Sequence, residues 1–378
     1  MGKWELVSVS EVTNILDNKR VPITASERRS GKYPYYGANG VQDYIDNFIF
    51  DDELVLLAED GGNFGSATRP IAYRVSGKCW VNNHAHVLKP KENLDVDYLC
   101  YSIMFYDVLP LISGTTRAKL NKSALSKMLI PLPPLDIQKR IAAALDTANA
   151  LIEKRKEQIE KLDLLIKSQF IEMFGDPVTN PKGWSVNSLA QHLKVIGGYT
   201  FKSTGYTMTG IPVLRIGNIN TGTLTLNDLV YWTYTESLER YFIYPGDLVM
   251  SLTGTVGKDD YANVCVLPAF FDRYYLNQRN AKLNIFGDLS NMYLLYLLRN
   301  KEIKKKLTGI SRGIRQANIS NSDILSLNVP IPPLSLQNQF AEFVEKVEAQ
   351  KALLQKSLAD MEQNYQSLLQ KCFKGEIF

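Results

Sequence analysis

The chain reads PLPPLDIQ at residues 131–138 and PIPPLSLQ at residues 330–337, an offset of 199. After each copy the sequence runs for dozens of residues without Gly or Pro. Because proline is tolerated only at the very start of a helix, each Pro-Pro pair predicts the beginning of a long one. This element therefore divides the chain into two parts of similar plan.

The repeat extends to both sides of this element in the same order, which indicates one fold present twice. The matched stretches differ at most polar positions. They are Trp4-Glu5-Leu6 with Trp184-Ser185-Val186, residues 52–56 with 246–250, Val81-Asn82-Asn83-His84 with Leu276-Asn277-Gln278-Arg279, and Gly114-Thr115-Thr116-Arg117 with Gly309-Ile310-Ser311-Arg312.

Apolar residues follow each proline pair at steps of three and four, as in a coiled-coil seam held for about five heptads. Gly175-Asp176-Pro177 predicts the end of the first helix and Gly375 the end of the second. At about 1.5 Å per residue each helix is roughly 57–60 Å long. We expect the two to pair with each other; the alternative is that each packs on its own domain. The predicted seam is Ile141, Leu145, Ala148, Ile152, Ile159, Leu162, Ile166, Phe340, Val347, Leu354, Leu358, Met361 and Tyr365.

The remaining segments predict an α+β protein with two globular α/β heads. Residues 1–134 form head 1, 135–174 the central helix, 175–334 head 2 and 335–378 the C-terminal helix. Short strands are expected at 53–58 and 247–251, with turns at Gly61-Gly62 and residues 254–257. A helix is expected late in each head, at 97–104 and 292–298.

Composition excludes several classes of protein. No run of about 18 apolar residues occurs, so no membrane span is expected. The four cysteines are scattered without a CxxC pair, which favours free thiols in a reducing cytoplasm.

The net charge is only +4, from 43 basic and 39 acidic residues. Basic residues gather late in each head, at 111–130 and 299–316, where they could neutralise phosphates; an ordinary solvated helix face is the alternative.

Side chains suited to reading base edges lie between turn residues in both heads. Arg and Lys suit guanine, and Asn and Gln suit adenine. For any single Asn, however, a structural role as a turn residue is the alternative. The candidate DNA contacts are Lys32, Tyr36, Asn39, Asn63, Asn83, His84, Arg117, Lys119, Lys122, Arg215, Asn218, Asn220, Lys258, Gln278, Arg279, Arg312, Arg315 and Gln316; Tyr33, Tyr35, Gln42, Asn82, His86, Asn277 and Asn280 lie in the same clusters.

Sequence motifs for catalysis are missing. Residues 254–259 lack the spacing and the hydroxyl of a phosphate-binding P-loop. Asn180-Pro181 is not followed by the residues of an amino-methyltransferase box, and His84-x-His86 has no Cys or His cluster beside it to complete a metal site. We therefore predict a binding role, with no catalytic residue, metal or cofactor in this chain.

The tandem of heads, each followed by Pro-x-Pro-Pro-Leu-x-x-Gln and a long helix, resembles the specificity subunit of Type I restriction–modification enzymes. Residues 173–184 and 373–378 are similar to that family's central and C-terminal repeats. The resemblance implies two target recognition domains, each reading one half of a split double-stranded DNA site, on an antiparallel coiled coil with pseudo-twofold symmetry. It also implies two modification subunits that use S-adenosylmethionine, with or without two restriction subunits that use ATP and Mg²⁺.

Two other interpretations stay open. A coiled-coil scaffold without DNA sequence preference would carry the same helices. A self-contained methyltransferase or nuclease would need the motifs that are missing.

The uninterrupted seams predict that helix length sets the separation of the two half-sites. Inserting one heptad into both helices should change the preferred spacer between them. Methylation mapping of the assembled complex measures this spacer, and an unchanged spacer would contradict the prediction.

Overall fold

The computed structural model describes residues 4–114, 118–309 and 316–378, except the side chain of Gln316. The chain folds as two compact units. Unit 1 is Met1–Glu157 with Gln355–Phe378, and unit 2 is Gln158–Leu354. Each unit therefore holds one head, half of the first long helix and half of the second. The four segment boundaries drawn from the sequence are not tested by this division and stay a prediction.

The head of unit 1 is built on strands, with short helices around them. Its strands are β1 Leu6–Ser8, β2 Thr13–Ile15, β3 Ser30–Gly37, β4 Gly40–Ile45, β5 Phe50–Ala58, β6 Ala72–Val81, β7 Ala85–Pro90 and β8 Leu129–Pro131, and its helices are α1 Val9–Val12, α2 Val96–Ile103 and α3 Lys122–Ser126. Six strands form one sheet in the order β2-β7-β5-β6-β3-β4, in which only β3 and β6 pair in parallel. β1 pairs separately with β8.

The head of unit 2 has the same plan with more strands. These are β9 Ser185–Ser188, β10 Leu193–Gly197, β11 Ile211–Leu214, β12 Val230–Trp232, β13 Phe242–Ile243, β14 Leu248–Ser251, β15 Thr253–Thr255, β16 Val264–Val266, β17 Tyr274–Leu276, β18 Asn280–Ile285, β19 Gln316–Asn318 and β20 Asn328–Ile331. Its helices are α5 Asn291–Arg299, α6 Lys301–Thr308 and α7 Asn321–Leu325.

The strand order confirms the internal repeat. The order β10-β18-β14-β16 in head 2 reproduces β2-β7-β5-β6 in head 1. The parallel pair β3–β6 returns as β11–β17, and β1–β8 returns as β9–β20. One expectation was wrong in part: residues 254–257 were expected to be a turn, but Thr253–Thr255 is a strand that pairs with β19.

The long helices occupy the predicted positions. We number them in order along the chain, α4 Leu135–Phe174 after head 1 and α8 Leu334–Lys374 after head 2. Gly175 and Gly375 end them with φ of 78° and 73°. This left-handed conformation costs a glycine little, which explains why both helices stop where the sequence predicts.

In unit 1 the beginning of α4 packs against the end of α8. Ile141, Leu145 and Ile152 share one buried cluster with Tyr365 and Cys372. Ala148, Leu358 and Met361 pack against the same cluster. The first turns of one helix thus lie beside the last turns of the other, as an antiparallel pair requires.

In unit 2 the end of α4 packs against the beginning of α8, so the pairing is again antiparallel. Ile166, Phe170 and Phe174 share a buried cluster with Phe340 and Val347, and Leu162 packs against it. Ile159 and Leu354 are half-buried. Both clusters continue into the core of the adjoining head, so the predicted pairing of the helices and their packing on the heads occur together.

The seam in unit 2 includes a charged pair. Lys351 of α8 faces Asp163 of α4, and the two side chains form an ion pair in which the Lys351 side chain is 18% exposed. A polar pair inside an apolar seam disfavours other registers, because sliding would leave a charge against apolar groups. Among the described helices none is both long and apolar enough to cross a membrane.

Candidate nucleic-acid interface

Candidates that are scattered in the sequence of head 1 meet where β3, β5 and β6 end and β4 and β7 begin. We call this region edge 1. The Asn39 amide donates to the Gly61 carbonyl over 3.0 Å, and the amide N–H of Glu59 donates to the His84 carbonyl over 2.9 Å. The Leu120 N–H donates to the Glu59 carbonyl over 2.8 Å, so the segment around Lys119 joins the same place.

The exposed side chains on edge 1 are those of Asn39, Asn83 and Lys119, and those of Tyr36, Asn63 and His84 are half-buried. Lys122 is exposed at the start of α3. Lys32 lies elsewhere, five residues before the end of β3, with its ammonium 5.3 Å from the Tyr33 ring. The structure thus brings together most of the head 1 candidates that it describes and leaves out Lys32.

A network of charged side chains lies beneath edge 1. The His86 Nε2 atom is 2.7 Å from the Leu120 carbonyl oxygen, and its Nδ1 atom is 2.6 Å from Asp17. Glu59 pairs with Arg20 at 2.6 Å and with Lys119 at 2.9 Å. This network anchors a segment of edge 1 to the sheet, and nothing in the sequence indicates it, because its members are far apart along the chain.

The network lowers the pKa of both of its carboxylates. Burial raises the pKa of Asp17, but the hydrogen bond and charge of His86, the Val87 N–H and Arg20 outweigh burial. Burial likewise raises the pKa of Glu59, and Arg20, Lys119 and His86 outweigh it. Oxygen and nitrogen atoms of Asp17, Glu59 and His86 lie within 4.8 Å of one another, a spacing that could suit a metal ion. Because two cations already neutralise these carboxylates, we interpret the cluster as structural.

Head 2 has a corresponding region, edge 2, around the turn between β17 and β18. Gln278 and Arg279 are exposed on this turn. The Leu214 carbonyl accepts the Asn277 N–H at 3.3 Å, which brings Arg215 beside the turn. Lys258 is exposed in the turn after β15, and the Leu252 N–H before that strand donates to the Arg279 carbonyl over 2.9 Å.

The two edges share one local structure. The His84 N–H donates to the Asn82 side-chain oxygen over 2.8 Å, and the Arg279 N–H donates to that of Asn277 over 3.3 Å. Asn side chains commonly form such turns by accepting a hydrogen bond from the backbone two residues further on. The residues that follow differ: Asn83 and His84 are presented on edge 1, and Gln278 and Arg279 on edge 2.

Several candidates are structural instead. Asn218 is 2% exposed; its amide donates to the carbonyls of Thr225 and Asn227, both over 3.1 Å, and its oxygen accepts the Arg215 N–H. Because its bonds are made inside its own loop, Asn218 has a structural role here, and its contact with DNA stays an untested prediction. The same holds for the other buried members of the clusters, which are Tyr35, Asn82, His86, Asn277 and Asn280.

Two further candidates in head 2, Arg215 and Asn220, make contacts within their own head. The Arg215 guanidinium donates to the Asp228 carbonyl and lies 5.9 Å from the Tyr206 ring. Asn220 is half-buried, and its carbonyl accepts the side-chain amide of Asn263. In the basic stretch that follows, Lys301–Thr308 is a helix whose Lys304 pairs with Asp259 and whose Lys305 pairs with Glu302. This stretch is therefore partly neutralised by its own head.

The candidates in and just after the two Gly-x-x-Arg loops fall outside the described residues. They are Arg117 in head 1 and Arg312 and Arg315 in head 2, together with the side chain of Gln316. The chain that follows each of these segments reaches the edge, through Lys119 in head 1 and through the pairing of Gln316 with Thr255 in head 2.

We expect Asp17→Asn to lower the free energy of unfolding at pH 7 by about 1–3 kcal/mol, the usual cost of leaving a buried polar partner unsatisfied. The folded-state pKa of Asp17 lies below its unfolded value, so its contribution is full above about pH 4 and is lost as the pH falls through the folded pKa. Denaturation from pH 3 to 7 should show the gap from wild type closing at low pH. Asp46→Asn, at an exposed site in the same head, is the control; equal effects of the two changes would contradict this account.

Comparison with known proteins gives one consistent family. The model of the Type I restriction modification DNA specificity domain matches residues 1–161 and 181–363. A Haemophilus influenzae protein named as a type I restriction enzyme specificity subunit is 29% identical over 356 residues, which covers 90% of this chain and 86% of the relative. The MjaVIII specificity subunit of Methanocaldococcus jannaschii is 23% identical, covering 99% of this chain and 93% of the relative.

Solved structures agree on the fold. The S subunit of the Type I restriction–modification system from M. genitalium superposes with a TM-score of 0.59 at 14% identity, covering 98% of this chain and 96% of that one. A chain from a study of complex assembly and conformational transition of the type I system gives a TM-score of 0.60 at 18% identity, covering 100% and 98%. With two matches to the DNA specificity domain over most of its length, the chain belongs to the family of Type I restriction–modification specificity subunits.

Proposed function

We propose that each head of this specificity subunit reads one half of a split DNA site, and that the two halves differ. The observation that carries this proposal is the shared turn on the two edges. An Asn side chain builds the turn in both heads, but the exposed residues are Asn83 and His84 in one and Gln278 and Arg279 in the other. Because Asn and Gln suit adenine and Arg suits guanine, the same framework offers different chemistry to the DNA.

The paired helices are the proposed spacer and docking platform. In this proposal two modification subunits bind the chain and transfer methyl groups from S-adenosylmethionine to adenine. Restriction subunits, where present, supply ATP- and Mg²⁺-dependent cleavage. This chain contributes recognition in the cytoplasm and holds none of these cofactors. Support comes from the motifs missing in its sequence and from the fold it shares with a chain studied for assembly of a type I system.

The test is to co-express the chain with the modification subunit from its own operon and to map methylated adenines on genomic DNA. We expect one split motif with two unlike halves and a fixed spacer. Scattered methylation without a motif, despite a stable complex, would favour a scaffold without sequence preference.

Single substitutions make the test specific to a head. Arg279→Ala should relax one half of the motif and Asn83→Ala the other, each with a loss of about 1–3 kcal/mol in discrimination. Lys194→Ala, at an exposed position of β10 in head 2, is the control and should leave both halves unchanged. Loss of both halves on changing Arg279 alone would contradict independent reading.

A further inference from the structure

A glutamine side chain fastens each long helix to its head by the same three hydrogen bonds. In unit 1 the Gln138 amide donates to the carbonyls of Asn93 over 3.0 Å and Pro133 over 2.8 Å, and its oxygen accepts the Asp95 N–H at 2.8 Å. Gln138 is fully buried.

Unit 2 repeats this arrangement. The Gln337 amide donates to the carbonyls of Asp288 over 2.9 Å and Pro332 over 2.8 Å, and its oxygen accepts the Ser290 N–H at 2.8 Å. It too is fully buried. Only an amide supplies two donors and an acceptor at this length, so neither Glu nor Met could make all three bonds.

In each unit a tyrosine of the head makes a further hydrogen bond close to the start of the long helix. The Tyr98 hydroxyl donates to the Pro131 carbonyl over 2.8 Å, and the Tyr293 hydroxyl donates to the Pro330 carbonyl over 2.7 Å. Each ring also meets the end of the other long helix: the Tyr98 and Phe373 centroids are 5.3 Å apart, and those of Tyr293 and Phe174 are 4.8 Å apart. We call Gln138 with Tyr98 latch 1, and Gln337 with Tyr293 latch 2.

A single strand joins each latch to the reading edge of its head. β18 begins directly after the Gln278-Arg279 turn and ends three residues before Asp288. β7 likewise runs from the Asn83-His84 turn towards Asn93. Six strand residues span about 20 Å. Over that length, a change of about 10° in the angle between head and helix moves the reading turn by about 3.5 Å. This is close to the rise of about 3.4 Å per base pair.

We propose that the two latches are positioning elements for DNA recognition: they fix the angle between each head and its helix and thereby hold the spacer of the split site to one length. Gln138 and Gln337 touch no DNA in this proposal and act through the reading turns. The inference rests on the proposed function, because a spacer exists only if both heads read one duplex.

The test uses the full complex and the same methylation mapping. Gln337→Met keeps the length of the side chain but removes its three hydrogen bonds. We expect both half-site sequences to persist while sites with spacers one base pair longer or shorter become methylated, with discrimination against them falling about tenfold. Gln138→Met should act in the same way through head 1. Gln350→Met, at an exposed glutamine of the same helix as Gln337, should keep the wild-type spacer.

Tyr293→Phe is the milder variant and removes only the hydroxyl bond to Pro330. It should relax the spacer in the same direction, and it decides the test if Gln337→Met does not fold. A fixed spacer in the latch variants, whether total methylation is unchanged or reduced at all sites alike, would overturn the inference and assign the latches to stability alone. A wild-type complex without a split motif would instead refute the proposed function, so the two failures are distinguishable.

Discussion

The buried amide at the start of each long helix is the interaction on which the rest of the architecture depends. Gln138 and Gln337 bond the loop before a head helix on one side and the turn before a long helix on the other. Because a buried amide is costly unless its donors and acceptor are satisfied, this contact accepts little variation in geometry. Each head thereby has a fixed attachment to the long helix that follows it.

This constraint separates framework from reading surface. The apolar seam, the latches and the strands leading from them are built alike in the two units, whereas the exposed residues of the shared turn differ. A family of DNA readers benefits from this division, because edges can change without disturbing the joint. The Asp17–His86 network under edge 1 belongs to the framework too, since it holds the backbone of Leu120 rather than facing outward.

The helices and the repeat were predictable because their signals are local and periodic. Steps of three and four place Ile141 and Phe340 in the seam, and Gly175 and Gly375 mark the ends. The residues of the two edges were harder to predict. The sequence around an Asn in a turn does not distinguish an exposed side chain, such as that of Asn83, from a buried one, such as that of Asn218. Contacts between distant residues left no signal: His86 and Asp17 are 69 residues apart. Lys351 was missed on the seam because a charge interrupts the apolar pattern that defines one.

We infer that the two heads read DNA independently on one shared framework. The decisive experiment exchanges residues 183–330 for the matching segment of another family member and maps the methylation made by the complex. We expect a motif in which one half is replaced while the other half and the spacer are retained, because the latch glutamines and the seams are kept. A change in both halves, or loss of any motif from a stable complex, would contradict it.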